Sequence, residues 1–245
     1  MLLNEPSPSQ GDLHFSLLNI PVRVHPMFWL MGLILGSGGS RGLQPVVLWV
    51  VAVFVSVLVH EMGHALVIRA LGVQPWITLY GMGGLTSHQG GRFRPQTQIL
   101  VSLAGPAAGF LLAAIVVALI KASGREVEFS FGGRDLIQWQ FDGFTNRGLA
   151  ELCYDLLYVN IWWGILNLLP ILPLDGGHVT NEALNICHPR GALRITLWVS
   201  MIVATAMAAM GLTTKPVEIY RVLLFGMLAY SSFQMLTAYS GNRRG

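Results

Sequence analysis

The chain reads as an all-α polytopic membrane protein, with about six transmembrane helices and a small β-like loop associated with the membrane. Three observations carry that reading. Only 11% of the 245 residues are charged, whereas a soluble domain carries about 25%. Hydrophobic residues make up 53% of the chain, and its mean hydropathy is +0.57. Apolar stretches recur at lengths suited to a bilayer, which needs about 20 residues of helix to cross its core.

Taken in order, residues 1–25 read as an aqueous or interfacial tail. Glu5, Asp12, Arg23 and two histidines interrupt them, and no basic region precedes an apolar core as in a secretory signal. Residues 26–240 then form a single transmembrane domain, and 241–245 a short C-terminal tail. The first apolar run, Pro26 to Leu35, is broken by Gly36-Ser37-Gly38-Gly39-Ser40 and reaches across only if residues 20–25 extend it. The second runs from Pro45 to Leu71, about 39 Å as a helix. Residues 73–96 are rich in glycine, and a third span covers Thr97 to Ile120. Residues 122–150 are the most polar stretch. Within it Val127, Phe129 and Phe131, then Ile137, Trp139 and Phe141, alternate with polar residues around Gly132-Gly133. That pattern predicts a β-hairpin with one aromatic face, lying at the membrane interface. The fourth span, Leu152 to Leu172, is interrupted near its end by Pro170 and Pro173. Ile195 to Leu212 and Tyr220 to Tyr239 complete the six.

Six spans put both termini on one side. Lysines and arginines divide almost evenly between the two sides, so charge sets no orientation beyond the slight preference of Arg243-Arg244 for the cytosol. A net charge of +3 without a dense basic run excludes nucleic acid as a partner. Cys153 and Cys187 suit neither a disulfide framework nor a cysteine zinc site.

The chemistry is concentrated at His60-Glu61-Met62-Gly63-His64, inside the second span and roughly 22 Å from its start. A carboxylate at bilayer depth costs roughly 2.5–3.5 kcal/mol on insertion scales, so such groups persist when paired, wetted or metal-bound. His60 and His64 are four residues apart and share one helical face, where two imidazoles converge on one ion. Glu61, offset by about 100°, sits beside that ion and serves as a general base toward water. Zinc suits imidazole and carboxylate donors at an open tetrahedral site. Gly63 and Ala65 leave room for a neighbouring helix.

Two histidines leave a catalytic zinc one protein ligand short. Asp175 is the best candidate. It follows Pro170 and Pro173 at the broken end of the fourth span, and irregular backbone at that depth belongs in a cavity or a protein interior. Alternatives are a metalloprotease whose third ligand is a glutamate, Glu151 or Glu182, and a transporter or channel that uses His60, Glu61 and His64 as an ion site.

With these residues in place, the chain resembles the site-2 protease family, the intramembrane zinc metalloproteases. The resemblance rests on the H-E-x-x-H at 60–64 and on Asn167-Leu168-Leu169-Pro170-Ile171-Leu172-Pro173-Leu174-Asp175-Gly176-Gly177. Gly105-Pro106-Ala107-Ala108-Gly109 and Gly81-Met82-Gly83-Gly84 add to it. These landmarks correspond to the family's three-helix catalytic core, about 46–177. The resemblance implies one Zn²⁺ held by His60, His64 and Asp175, Glu61 as catalytic base, and Asn167 holding the substrate backbone near the scissile bond. It also implies that the β-like segment around Gly83 and Gly84 pairs with an unwound substrate. His25, His88 and His178 are expected outside the ligand set. The implied activity is endopeptidase cleavage of a transmembrane segment of another membrane protein. It would operate in a lipid bilayer, in a multi-pass prokaryotic plasma-membrane protein with its site toward the cytosol, with scope for a regulatory membrane partner. The chain resembles the compact members, without a PDZ or nucleotide-sensing domain.

Overall fold

The computed structural model describes residues 5–37, 42–132, 137–214 and 216–241. Gly38, Gly39 and Ser40, Gly133 of the expected hairpin turn, and Arg243 and Arg244 with the tail beyond Gly241 lie outside the described residues.

Strands β1 (Leu13–Leu17) and β2 (Ile20–Val24) lead into helices α1 (Pro26–Gly36) and α2 (Leu43–Ala70). Strands β3 (Pro75–Tyr80) and β4 (Gly83–His88) follow, then helix α3 (Pro95–Ala122). Strands β5 (Val127–Phe131) and β6 (Ile137–Phe141) precede helices α4 (Arg147–Asn167), α5 (Asp175–Cys187), α6 (Ala192–Thr213) and α7 (Ile219–Gly241). The protein is mostly helical, but sheet is more prominent than expected. The residues group into two compact units. One comprises Pro6–Gln89 and Ala107–Gly164, the other principally Gly90–Pro106 and Ile165–Gly245.

In the first unit, four strands form a sheet in the order β1-β2-β3-β4. Strands β1 and β2 are an antiparallel hairpin in which Leu17 pairs with Ile20. Leu18 and Asn19 between them both have positive φ, 50° and 59°, as a two-residue turn that follows the twist of its strands requires. The stretch read as a tail is therefore ordered from Leu13 onward. Strand β2 runs parallel to β3, with Val22 opposite Ile77 and Val24 opposite Leu79. Its alternation sends Ile20, Val22 and Val24 inward. There they pack with Phe28 of α1, with Val57, Met62 and Ala65 of α2, and with Ile77 and Leu79. Small Ala65 is thus packed in a sheet-and-helix core. Pro26 opens α1, and the His25 ring caps it, its Nδ1 accepting the Met27 N–H at 3.2 Å.

The expected β5–β6 pairing forms, and the structure sets its register, with Phe129 opposite Trp139 and Phe131 opposite Ile137. Much of its aromatic face packs on protein. Trp139 is buried, and its ring centroid lies 5.4 Å from that of Tyr154 and 6.4 Å from that of Tyr158, both on α4.

Among the described residues, four helices are long and apolar enough to cross a membrane: Leu43–Ala70, Pro95–Ala122, Ala192–Thr213 and Ile219–Tyr239. Two of the six expected spans differ from this. Residues 20–24 are strand, so α1 has 11 residues and reaches only about 16 Å. Helix α4 carries Arg147, Glu151 and Asp155 in its first half and ends at Asn167. In the second unit, α6 and α7 pack on the segment that follows α4. Ile171 is closed over by Ala204, Phe225 and Leu228, and Leu172 by Leu197 and Leu236.

Candidate metal centre

Helix α2 presents His60, Glu61 and His64, all buried, at 3%, 6% and 8% exposure. The i, i+4 spacing stacks the two imidazoles one turn apart, with their rings edge to face at a centroid distance of 4.9 Å. Their Nε2 atoms approach to 3.2 Å. Two nitrogens each about 2.0–2.1 Å from a tetrahedral zinc stand about 3.3 Å apart. The pair is already spaced as two ligands of one such ion, and neutral imidazole is the donor zinc prefers.

Glu61 is held by β4. Thr86 Oγ1 lies 2.7 Å from Glu61 Oε2 and 3.0 Å from the Glu61 carbonyl oxygen, and donates its hydroxyl hydrogen toward them. Gly84 lies against the same carboxylate: a Cβ built there would meet Glu61 Cγ at 2.3 Å and Cδ at 2.5 Å. Gly83 has φ of +118° and faces the Trp163 ring, 2.9 Å from where its Cβ would be. Gly84 therefore leaves room for this placement of the carboxylate, and Gly83 is required by backbone conformation as well as by close approach. Burial, then the Glu61 charge, pushes the Tyr80 phenol up, so it stays protonated beside the carboxylate. One turn before His60, Ser56 Oγ accepts from Asn160 Nδ2 of α4 at 2.8 Å, both side chains buried.

In the second unit, α4 ends at Asn167, which is buried, and α5 begins at Asp175, which is half-buried. The stretch between them folds back on the start of α5. A Cβ at Gly176 would stand 2.2 Å from the Leu168 carbonyl oxygen, and one at Gly177 2.4 Å from the Ile171 carbonyl carbon. The paired glycines after Asp175 thus let irregular backbone pack directly on helix backbone. Ser200 of α6 serves the polar groups this exposes, accepting the Leu172 N–H at 2.9 Å and donating to the Pro170 carbonyl at 3.3 Å.

The two glutamates weighed as third ligands are engaged elsewhere. Glu182 is buried, with Arg92 and Asn181 donating to Oε1 and Asn185 to Oε2. Burial alone would push its carboxyl up; Arg92 and the hydrogen bonds outweigh that and hold it below its ordinary value. Glu151 pairs with Arg147 at 3.1 Å along α4. Of the other histidines, His25 caps α1 and His178 is exposed. Thr86 and Trp163 escaped the sequence reading, because neither carries a motif and each acts on a residue distant in the chain.

A profile of Peptidase family M50 matches residues 48–210, from α2 into α6. Among curated relatives, a putative zinc metalloprotease of Synechocystis sp. is 31% identical over 177 residues, 67% of this chain and 41% of the relative. A zinc metalloprotease of Methanocaldococcus jannaschii is 26% identical over 175 residues, 70% of this chain and 44% of the relative. The putative zinc metalloprotease Rip3 of Mycobacterium tuberculosis is 31% identical over 160 residues, 64% of this chain and 33% of the relative. The chain thus spans less than half the length of each. The solved structure of a site-2 protease from M. jannaschii shares the fold, with a TM-score of 0.60 at 20% identity, covering 92% of this chain and 95% of that one. With the family profile covering two thirds of its length, this chain belongs to Peptidase family M50, the site-2 proteases.

Proposed function

We propose that the protein is an intramembrane zinc endopeptidase that cuts transmembrane segments of other membrane proteins. The observation that carries this reading is the 3.2 Å approach of the His60 and His64 Nε2 atoms beside Glu61, on a helix long and apolar enough to cross a bilayer. Asp175 supplies the third ligand. A carboxylate oxygen completes the donor set of an open zinc site, and its two rivals, Glu151 and Glu182, are tied to arginines.

Zinc, when bound, lowers the pKa of its water to about 7 and polarises the substrate carbonyl. Glu61 takes the proton from the attacking water and delivers it to the leaving nitrogen. Asn167 donates from its side-chain amide to the carbonyl oxygen as charge develops there. Strand β4 lies at the sheet edge. Through Gly83 and Gly84 it pairs with substrate backbone unwound from its helix, in the manner of strand addition. The body is embedded in the cell membrane, and its site opens toward the cytosol. Its partners are a single-span or multi-span membrane substrate and, where cleavage is regulated, a second membrane protein.

A zinc anomalous-scattering map of the purified chain tests the site: density bonded to His60, His64 and Asp175 is expected, and a ligand set without Asp175 overturns the assignment. The activity is tested with Glu61→Gln, expected to keep zinc and lose cleavage of a reconstituted transmembrane substrate.

A further inference from the structure

The β4 strand does more than border Glu61. Successive side chains alternate across a strand, so Gly84 and Thr86 share one face, and both meet the same carboxylate. Gly84 makes room, since a Cβ there would lie 2.5 Å from Glu61 Oε1. Thr86 supplies a hydroxyl to that carboxylate, 2.7 Å from Oε2. The Glu61 carbonyl oxygen lies 3.0 Å from the same Oγ1, so the single hydroxyl hydrogen is shared between two acceptors, with the carboxylate the nearer. Threonine is stiff at χ1 and fits a pleated strand, so its hydroxyl direction is set by the sheet. Opposite it in β3 stands Ile77, fully buried, which anchors that register.

We propose that Thr86 is a positioning residue that selects the working rotamer of Glu61. Glutamate has three side-chain torsions. Gly84 removes the steric bar to one arrangement, and Thr86 fixes that arrangement among those left open. This rests on the reading of Glu61 as the catalytic base.

The test uses the full zinc-loaded chain in detergent, with fluorescein-labelled casein as probe. Thr86→Val keeps shape and removes the hydroxyl. It is expected to lower kcat by about 10- to 100-fold, leaving KM within about twofold and zinc content at the wild-type level. Thr86→Ser keeps the hydroxyl and stays within about threefold of wild-type kcat. An unchanged kcat in Thr86→Val, or an equal loss in Thr86→Ser, overturns the proposal. Glu61→Gln is assayed alongside. If it turns over casein like wild type, the base assignment has failed, whatever Thr86 does. In that case, or if wild type leaves casein intact, the crystal structure of zinc-loaded Thr86→Val decides: a Glu61 carboxylate swung away from β4 supports positioning, and one left in place overturns it.

Discussion

At Gly84 a single absent methyl group separates two properties that usually change together. The atoms a Cβ would strike, Glu61 Cγ, Cδ and Oε1, belong to a side chain that can rotate away. Gly84→Ala is therefore expected to cost little stability, under about 1 kcal/mol. It should still displace the carboxylate and lower turnover on the order of 100-fold. Thermal unfolding beside a cleavage assay checks both halves. His60→Ala is different in kind. It leaves the folded helix intact and removes one of two imidazoles spaced for a shared ion, so metal analysis should find the wild type's bound zinc lost.

The segment between α4 and α5 shows the opposite balance. At Gly176 and Gly177 the neighbours are backbone atoms of Leu168, Leu169, Ile171 and Leu172, which cannot rotate aside. Gly176→Ala should destabilise by roughly 1–3 kcal/mol or more and lower the yield of folded protein. Ser200→Ala leaves the Leu172 N–H without the acceptor it has at 2.9 Å. Stranding a buried donor costs about 1–3 kcal/mol, and a lowered Tm is the expected readout. This turn is held by helix α6 as much as by its own prolines, which is how a broken backbone persists between apolar helices.

Over the molecule as a whole, two linkages set stability. Zinc that binds the folded chain alone stabilises it by mass action, so a strong chelator should lower Tm in the wild type and leave His60→Ala unmoved. The second linkage is pH. Folding holds the Glu182 carboxyl below its ordinary 4.5. Its contribution is thus fully present above that value and disappears as pH falls through the lowered one. Arg92 is 64% exposed, which limits the effect to about 1 kcal/mol. Glu182→Gln should flatten this part of the stability curve below pH 4.5 while leaving the neutral limb's slope unchanged.

Legibility followed distance along the chain. The apolar helices could be read off because hydropathy is local, and the His60–His64 pair because four residues of helix always make one turn. The β5–β6 hairpin was legible from its period of two. Strands β1 and β2 were not: Leu18-Asn19 offers no glycine where both turn residues need positive φ. The parallel pairing of Val22 with Ile77 also joins segments separated by two helices. The six-span count failed to anticipate strand at 20–24, because apolar residues next to a short apolar run look alike in helix and strand. Thr86 was invisible for the same reason, its acceptor lying 25 positions away. What local periodicity could specify was the metal-spaced face of α2. What the folded chain added was the sheet that aims Glu61, since a hydrogen bond between distant segments is specified by their pairing register and by neither segment alone.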